Sequence, residues 1–357
     1  GLGDSHRVAF HPDGSYAVYL ELSGVVHVYD WASGTDTPID LDPPGSATLR
    51  LSDFDFDPSG DFGLLVGTRR DGSGAETGVL YRFDDAAWRA GTLASVLVAQ
   101  PSADRAGTRF MATAYPWNSG LPMVLAQSGN SPYVATIRRY DPATGDFGSF
   151  IKARATGAGC EDLAFVNNEF GGEGVLLVCG LNGAEAPYWT SIGGVGEWRP
   201  GPASGSLGNV SRVEAHVGGD YALVINNSGG HVHRFGAGAW LVGSSSLWFR
   251  TRSLSGMGFQ QDGRRALIVG RAGGSPPSAA VLEYRHDLFS MSEVADVSIA
   301  GFDSAPWLGD SSSSLKDVAF HPGCDGGLIV GGKSDYSSSR GWLIEFAIEG
   351  GTSCHVR

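Results

Sequence analysis

Apolar and polar residues alternate along this chain in short runs, each bounded by glycine and proline, and one such phrase recurs from end to end. In HRVAFHPDGSYAVYL, His6 to Leu20, the alternation predicts two strands, Arg7 to His11 and Tyr16 to Leu20, folded about a Pro-Asp-Gly turn. The phrase LSDFDFDPSGDFGLLVG from Leu51 aligns with it without a gap: Phe54 falls on Val8, Phe56 on Phe10, Pro58 on Pro12 and Gly60 on Gly14. Further gap-free copies start at Ser211, Ser255 and Leu315, and looser ones at Arg109 and Glu161. A third apolar run follows each hairpin, as in VVHVYD from Val25 and VLYRF from Val79. Nowhere does a helical apolar period persist for three turns.

The pattern therefore predicts an all-β chain. Residues 1–357 form one domain, a single seven-bladed β-propeller of four-stranded antiparallel blades, with blades starting near residues 6, 51, 108, 160, 210, 254 and 315. Spread over seven repeats, 357 residues give about 51 each, compared with roughly 40 to 45 for a compact blade, so the surplus belongs to loops. The last blade is expected to end on its own fourth strand near Cys354 to Arg357, without strand exchange between the termini.

The phrases VAFHPDG, VHVYDWASG and RRYDPATG resemble degenerate WD40-type repeats of bacterial propellers, and the resemblance runs over nearly the whole chain. The Gly-His and Trp-Asp pairs of the strict repeat are mostly missing. Propellers of this kind bind proteins, peptides or glycans, and some are enzymes; the resemblance implies the architecture and leaves that choice open.

Composition narrows the partners. The net charge is -13, and only Lys152, Lys316 and Lys333 supply lysine, which argues against nucleic acid and against an anionic membrane surface. No apolar run reaches the roughly 18 residues of a bilayer span, so no membrane insertion is expected. The chain begins almost on a strand, without a basic and apolar leader, so a signal peptide is either removed or was never present. A closed ring of this kind is expected to be monomeric.

The four cysteines allow three pairings. If the fourth hairpin is centred between Glu169 and Phe170, Phe165 faces Gly174 and Cys160 faces Cys179 on the adjacent strand. Cys324 falls in the first turn of the last repeat, and Cys354 near a turn on the same face. Disulfides Cys160–Cys179 and Cys324–Cys354 are predicted, and with them a secreted or periplasmic location.

The position just before the first inner apolar residue reads Arg7, Asp53, Arg109, Asp162, Arg212, Gly256 and Asp317 down the repeats. On first strands lining a channel, these alternating charges would form a collar near one mouth, as inter-blade salt bridges or as a polar ring that orients a ligand. His6, Glu161, Glu214 and Lys316 are expected close to the same mouth. Loops between second and third strands, carrying Tyr133, Trp189, Arg271 and Tyr336 among others, would open there and suit sugar or peptide contact. No catalytic residue and no cofactor is predicted, although a divalent cation could occupy the channel.

Three motif matches carry little. GLIVGGKS at Gly327 to Ser334 fits the phosphate-loop pattern but places it on a predicted strand with no helix after it. DFDFDPSGD from Asp53 displaces the glycine a calcium loop requires. His231 and His233 share a strand face without a third ligand. The leading expectation is a secreted, non-enzymatic propeller binding a protein, peptide or glycan through its loop-rich mouth. The alternatives are an extracellular hydrolase or lyase acting on a saccharide or lactone at the collar, and a structural module of a larger cell-surface protein.

Overall fold

The computed structural model describes residues 5–354 except 42–47, 93–96, 101–106, 117–119, 130–132, 157–158, 168–172, 181–187, 193–194, 200–209, 217–218, 220, 227–230, 237–238, 241–246, 249–251, 273–278, 286–289, 294–296, 300–312, 336–337, 349–350 and 353. The chain is all-β, with one five-residue helix among the described residues, Asp85–Arg89, capped by the Asp84 carboxylate. Among the described residues no helix is long and apolar enough to cross a membrane.

The strands follow the repeat. Ser5–Phe10, Tyr16–Glu21, Val25–Asp30 and Thr35–Asp40 pair in chain order as one antiparallel sheet, and the same up-and-down order recurs along the chain. The second and third repeats join through a single parallel bridge, Thr77 to Thr108, so the seven repeats are distributed over six sheets. Their inner strands are Ser5–Phe10, Thr48–Phe56, Thr108–Ala114, Gly159–Asn167, Val210–Ala215, Arg252–Phe259 and Ser313–Phe320. Each inner strand packs against that of the next repeat, and the last packs against the first.

Sheets stacked face to face bury their second strands on both sides, and so Tyr16–Glu21 is buried at every position although its two faces point to different neighbours. The core is accordingly a series of layers between repeats. Val18, Leu20, Val26 and Val28 meet Leu49, Leu51 and Phe54 between the first two, and Leu267 and Val269 meet Leu315 and Ile329 between the last two. Each such side chain, fully withdrawn from water, contributes roughly 1.5 to 3 kcal/mol.

The repeated turns also latch onto one another. His11 donates from Nε2 to the Gly60 carbonyl at 2.8 Å, and His321 to that of Gly14 at 2.9 Å. Asn167 N–H donates to the Gly219 carbonyl at 2.7 Å, and Gln260 reaches the Asp325 carboxylate. In each case the turn of one repeat grips the turn of the next. The close approach requires glycine: Gly60 has φ +81°, and a β-carbon there would lie 2.5 Å from His11 Nε2. Replacing Gly60 with alanine imposes a left-handed conformation and displaces the imidazole, so Gly60→Ala is expected to lower the unfolding free energy by about 2 kcal/mol or more in a denaturant titration. Wild-type stability in this variant would show that the latch contributes nothing.

One expectation is corrected at the last repeat. Its outer strand is Val297–Ile299, which lies upstream of the inner strand and pairs with Ser338–Ile348. The chain after Ile348 instead folds back on the turn. Asp325 N–H donates to the Thr352 carbonyl, the Asp325 carboxylate accepts from Thr352 N–H, and Cys354 is bonded to Cys324. Residues 355–357, where the fourth strand is expected, lie outside the described residues.

Cys160, itself in a disulfide, sits in register opposite Cys179, and among the described residues no cysteine is free. The register reaches this pair by two offsets. Phe165 faces Val175, not Gly174, and a bulge between Cys160 and Asp162 then restores Cys160 to Cys179.

Candidate functional site

A register shift interrupts all seven inner strands at the same height, and the residue that follows it is Arg7, Asp53, Ala112, Asp162, Arg212, Gly256 or Asp317. A bulge bends its strand and re-aims the side chain beside it, which here brings these residues together. Arg109 does not belong among them. It lies three residues before Ala112 and pairs with Glu76, part-exposed, at the far end of its strand. A signal for the correct alignment exists in the sequence: three residues beyond the bulge position stand Phe10, Phe56, Tyr115, Phe165, Phe259 and Phe320, and aligning Tyr115 with the phenylalanines selects Ala112.

The two arginines hold the collar together. Arg7 Nε lies 2.7 Å from Asp53, and its Nη2 lies 3.4 Å from Asp162, three repeats away. Arg212 reaches Asp317 at 2.9 Å and Asp162 at 3.7 Å. To meet Asp317 it passes the sixth repeat, where Gly256 carries no side chain and where a β-carbon would lie 2.3 Å from the Lys316 carbonyl oxygen.

Each carboxylate also clamps the following repeat through the backbone. Asp53 accepts from Thr113 N–H at 2.9 Å, Asp162 from Val213 N–H at 3.1 Å and Asp317 from Val8 N–H at 3.2 Å. In all three the donor follows the collar position of the next repeat, which makes the collar a set of inter-repeat clamps neutralised by two guanidinium groups. Burial raises the pKa of Asp53, Asp162 and Asp317, against the pull of Arg7. Burial would lower Arg7, but Asp53, Asp162 and Asp317 hold it above its ordinary value.

A cavity of about 400 Å³ runs from the collar along the inner strands toward the turns that follow them, past Phe10, Tyr115, Phe165, His216 and Phe320. Its direction differs from the expected one. In antiparallel repeats these first turns lie at the opposite end from the second-to-third loops, and His6, Ser52, Glu161 and Lys316, which precede the collar, do not line it. Glu214, expected beyond the collar with them, lies two residues inside and is exposed in the cavity. Burial, with Arg7 beside it, lowers the pKa of His6 to about 3, against the pull of the Leu51 and Ser52 backbone.

Two acids in the cavity have no arginine within ion-pair distance among the described residues. Asp55 accepts from Tyr115 N–H at 3.0 Å, and burial followed by the Asp53 charge raises its pKa to about 7. Glu214 is raised well above the usual range by the surrounding protein and by Asp317, Asp162 and Asp55.

Tyr133 and Arg271 are half-buried in strands, opposite Thr156 and Ala279. Trp189 lies in a strand opposite Trp198, and Tyr336 lies outside the described residues. The strand Gly326–Asp335 runs through GLIVGGKS. Among the described residues no three His, Cys, Asp or Glu side chains converge as a metal site.

No family model matches this chain, and no curated protein matches it. A solved structure of U3-55K, a WD40 propeller protein, superposes with a TM-score of 0.61 over 97% of this chain and 96% of the other, at 11% identity. The likeness is one of fold.

Proposed function

We propose that this chain is a closed seven-bladed propeller of an oxidising compartment, and that it binds a protein, peptide or glycan partner at its channel without transforming it. The observation that carries the reading is the cavity on the axis of the inner strands, with its salt-bridged collar and its aromatic flank. A preformed concave site with a few fixed polar groups is the usual form of a binding site. Contacts from each inner strand to the next, and from the last to the first, support the closed ring. The bond between Cys324 and Cys354 supports export, because structural disulfides persist where thiols are not kept reduced.

Thermal unfolding against panels of peptides and oligosaccharides tests the reading. A ligand of the native state at a hundredfold over its dissociation constant adds about 2.7 kcal/mol and raises the midpoint. One ligand class is expected to do so in the wild type. Asp162→Asn, which removes charge but keeps an acceptor, is expected to lower stability without abolishing any turnover. Saccharide or lactone turnover by the wild type that vanishes in a folded Asp162→Asn would replace this reading with the hydrolase or lyase one.

A further inference from the structure

We infer that the channel cavity receives a cationic side chain, the ammonium of a lysine or the guanidinium of an arginine, presented by a peptide segment of the partner. The inference rests on the partner-binding reading above and specifies what that site recognises.

Three features of the cavity converge on this class. Its walls carry five carboxylates, those of Asp53, Asp55, Asp162, Glu214 and Asp317, against two guanidinium groups. Those two groups are spent on the collar, held by Asp53, Asp162 and Asp317 at 2.7 to 3.7 Å. Asp55 and Glu214 are left facing the cavity, and a positive group placed between them would pair with two acids that no arginine among the described residues reaches within ion-pair distance.

The flank suits the same group. Phe10 and Phe259 line the cavity and are only partly buried, and an aromatic face attracts ammonium and guanidinium ions by its quadrupole. Beyond the cavity the whole chain, at -13, draws a basic segment toward it. Anionic ligands meet the opposite field.

The inference carries a proton signature. Because burial raises the pKa of Asp55 to about 7, and the surrounding protein with the charges of Asp317, Asp162 and Asp55 raises that of Glu214 well above its usual range, these acids hold protons near neutrality that an arriving cation must displace. Affinity therefore rises with pH, and binding releases protons.

Calorimetric titration of the full chain with capped Gly-Gly-Lys-Gly-Gly and Gly-Gly-Arg-Gly-Gly, with Gly-Gly-norleucine-Gly-Gly as the uncharged control, tests this at pH 6 and pH 8. At least one cationic peptide is expected to bind, more tightly at pH 8, with proton release seen as a dependence of the heat on buffer ionisation. Glu214→Gln is expected to weaken binding by about tenfold or more, as loss of a charge-assisted contact does. If Glu214→Gln fails to fold, Asp55→Asn serves in its place with the same expectation. Equal binding of the norleucine peptide, or an affinity independent of both pH and Glu214, would overturn the inference. Failure of both cationic peptides while a glycan or neutral peptide binds would overturn the cation but leave the partner-binding reading standing. Failure of every ligand in both panels would remove both.

Discussion

Arg7→Met is expected to cost about 3 to 5 kcal/mol at pH 8, the usual penalty for removing one partner of a buried ion pair. Arg7 is the ion partner of Asp53 at 2.7 Å and of Asp162 at 3.4 Å, and its side chain is 13% exposed. Methionine keeps the apolar stem and deletes the charge, so Asp53 is left with its backbone donors and Asp162 with its backbone donors and the longer contact to Arg212. The sign of the pH dependence follows from protonation. Carboxyl groups whose folded-state pKa is raised contribute stability that is present in acid and lost as pH rises through that value. Without Arg7 the pKa values of Asp53 and Asp162 rise further, so the deficit of the variant should be largest at pH 8 and should shrink toward pH 5. Adding Asp53→Asn, which still accepts from Thr113 N–H but carries no charge, should recover part of the loss. Urea titrations of the wild type, the single and the double variant at both pH values decide the matter. A deficit under about 1 kcal/mol at pH 8, in the range of an exposed pair, would show that the collar is solvated and weak.

The collar also shows where reading the chain succeeds and where it stops. Local chemistry is legible: a Pro-Asp-Gly turn between alternating runs specifies a hairpin, and the repeat of that hairpin placed six of the seven collar positions at their bulges. The third repeat lacks the turn phrase, and there the arginine at 109 drew the alignment because it continued the alternation of charge. Packing decides otherwise, since Tyr115 must take the aromatic position beside the second repeat, and Ala112 then follows the bulge. Position 109 is left near the strand end, where Glu76 meets it.

What lay outside the sequence is direction and depth. A bulge adds a residue without any residue type that announces it, so the Cys160–Cys179 register came out through an offset at Phe165 that the bulge cancels. A difference of one or two residues likewise separates a mouth from a cavity: Glu214, expected near the mouth with His6, lines the cavity, and His6 does not. The turn latches were hidden for a different reason. His11 and His321 read as turn residues of their own repeats, and the carbonyls they seek belong to Gly60 and Gly14 of the next, contacts between sequence-distant turns that no local pattern encodes.

Cys324→Ser with Cys354→Ser is expected to lower the unfolding free energy by roughly 3 to 4 kcal/mol, the chain-entropy value for a closed loop of this length. The two cysteines are 30 residues apart, and the bond ties the tail to the first turn of the last repeat. That turn is where the last repeat meets the first: His321 reaches Gly14 from it, sits edge-on to Phe10 and packs beside Trp31, and its Nδ1 lies 3.2 Å from Cys324 Sγ. The outer strand of this repeat comes from upstream, and between Thr352 and Asp325 the tail relies on two hydrogen bonds. Loss of the bond should therefore act twice, by freeing the unfolded chain and by loosening the native turn. The two effects separate in hydrogen exchange, where amides at residues 321–326 and 351–354 should lose protection in the folded variant while those of the second strand, Tyr16–Glu21, keep theirs relative to the new global stability. A stability within about 1 kcal/mol of wild type, with unchanged exchange at the turn, would mean that the disulfide is incidental to the meeting of the last repeat with the first, and that Asp317, His321 and the apolar layer of Val8, Tyr19, Leu328 and Val330 hold that contact unaided.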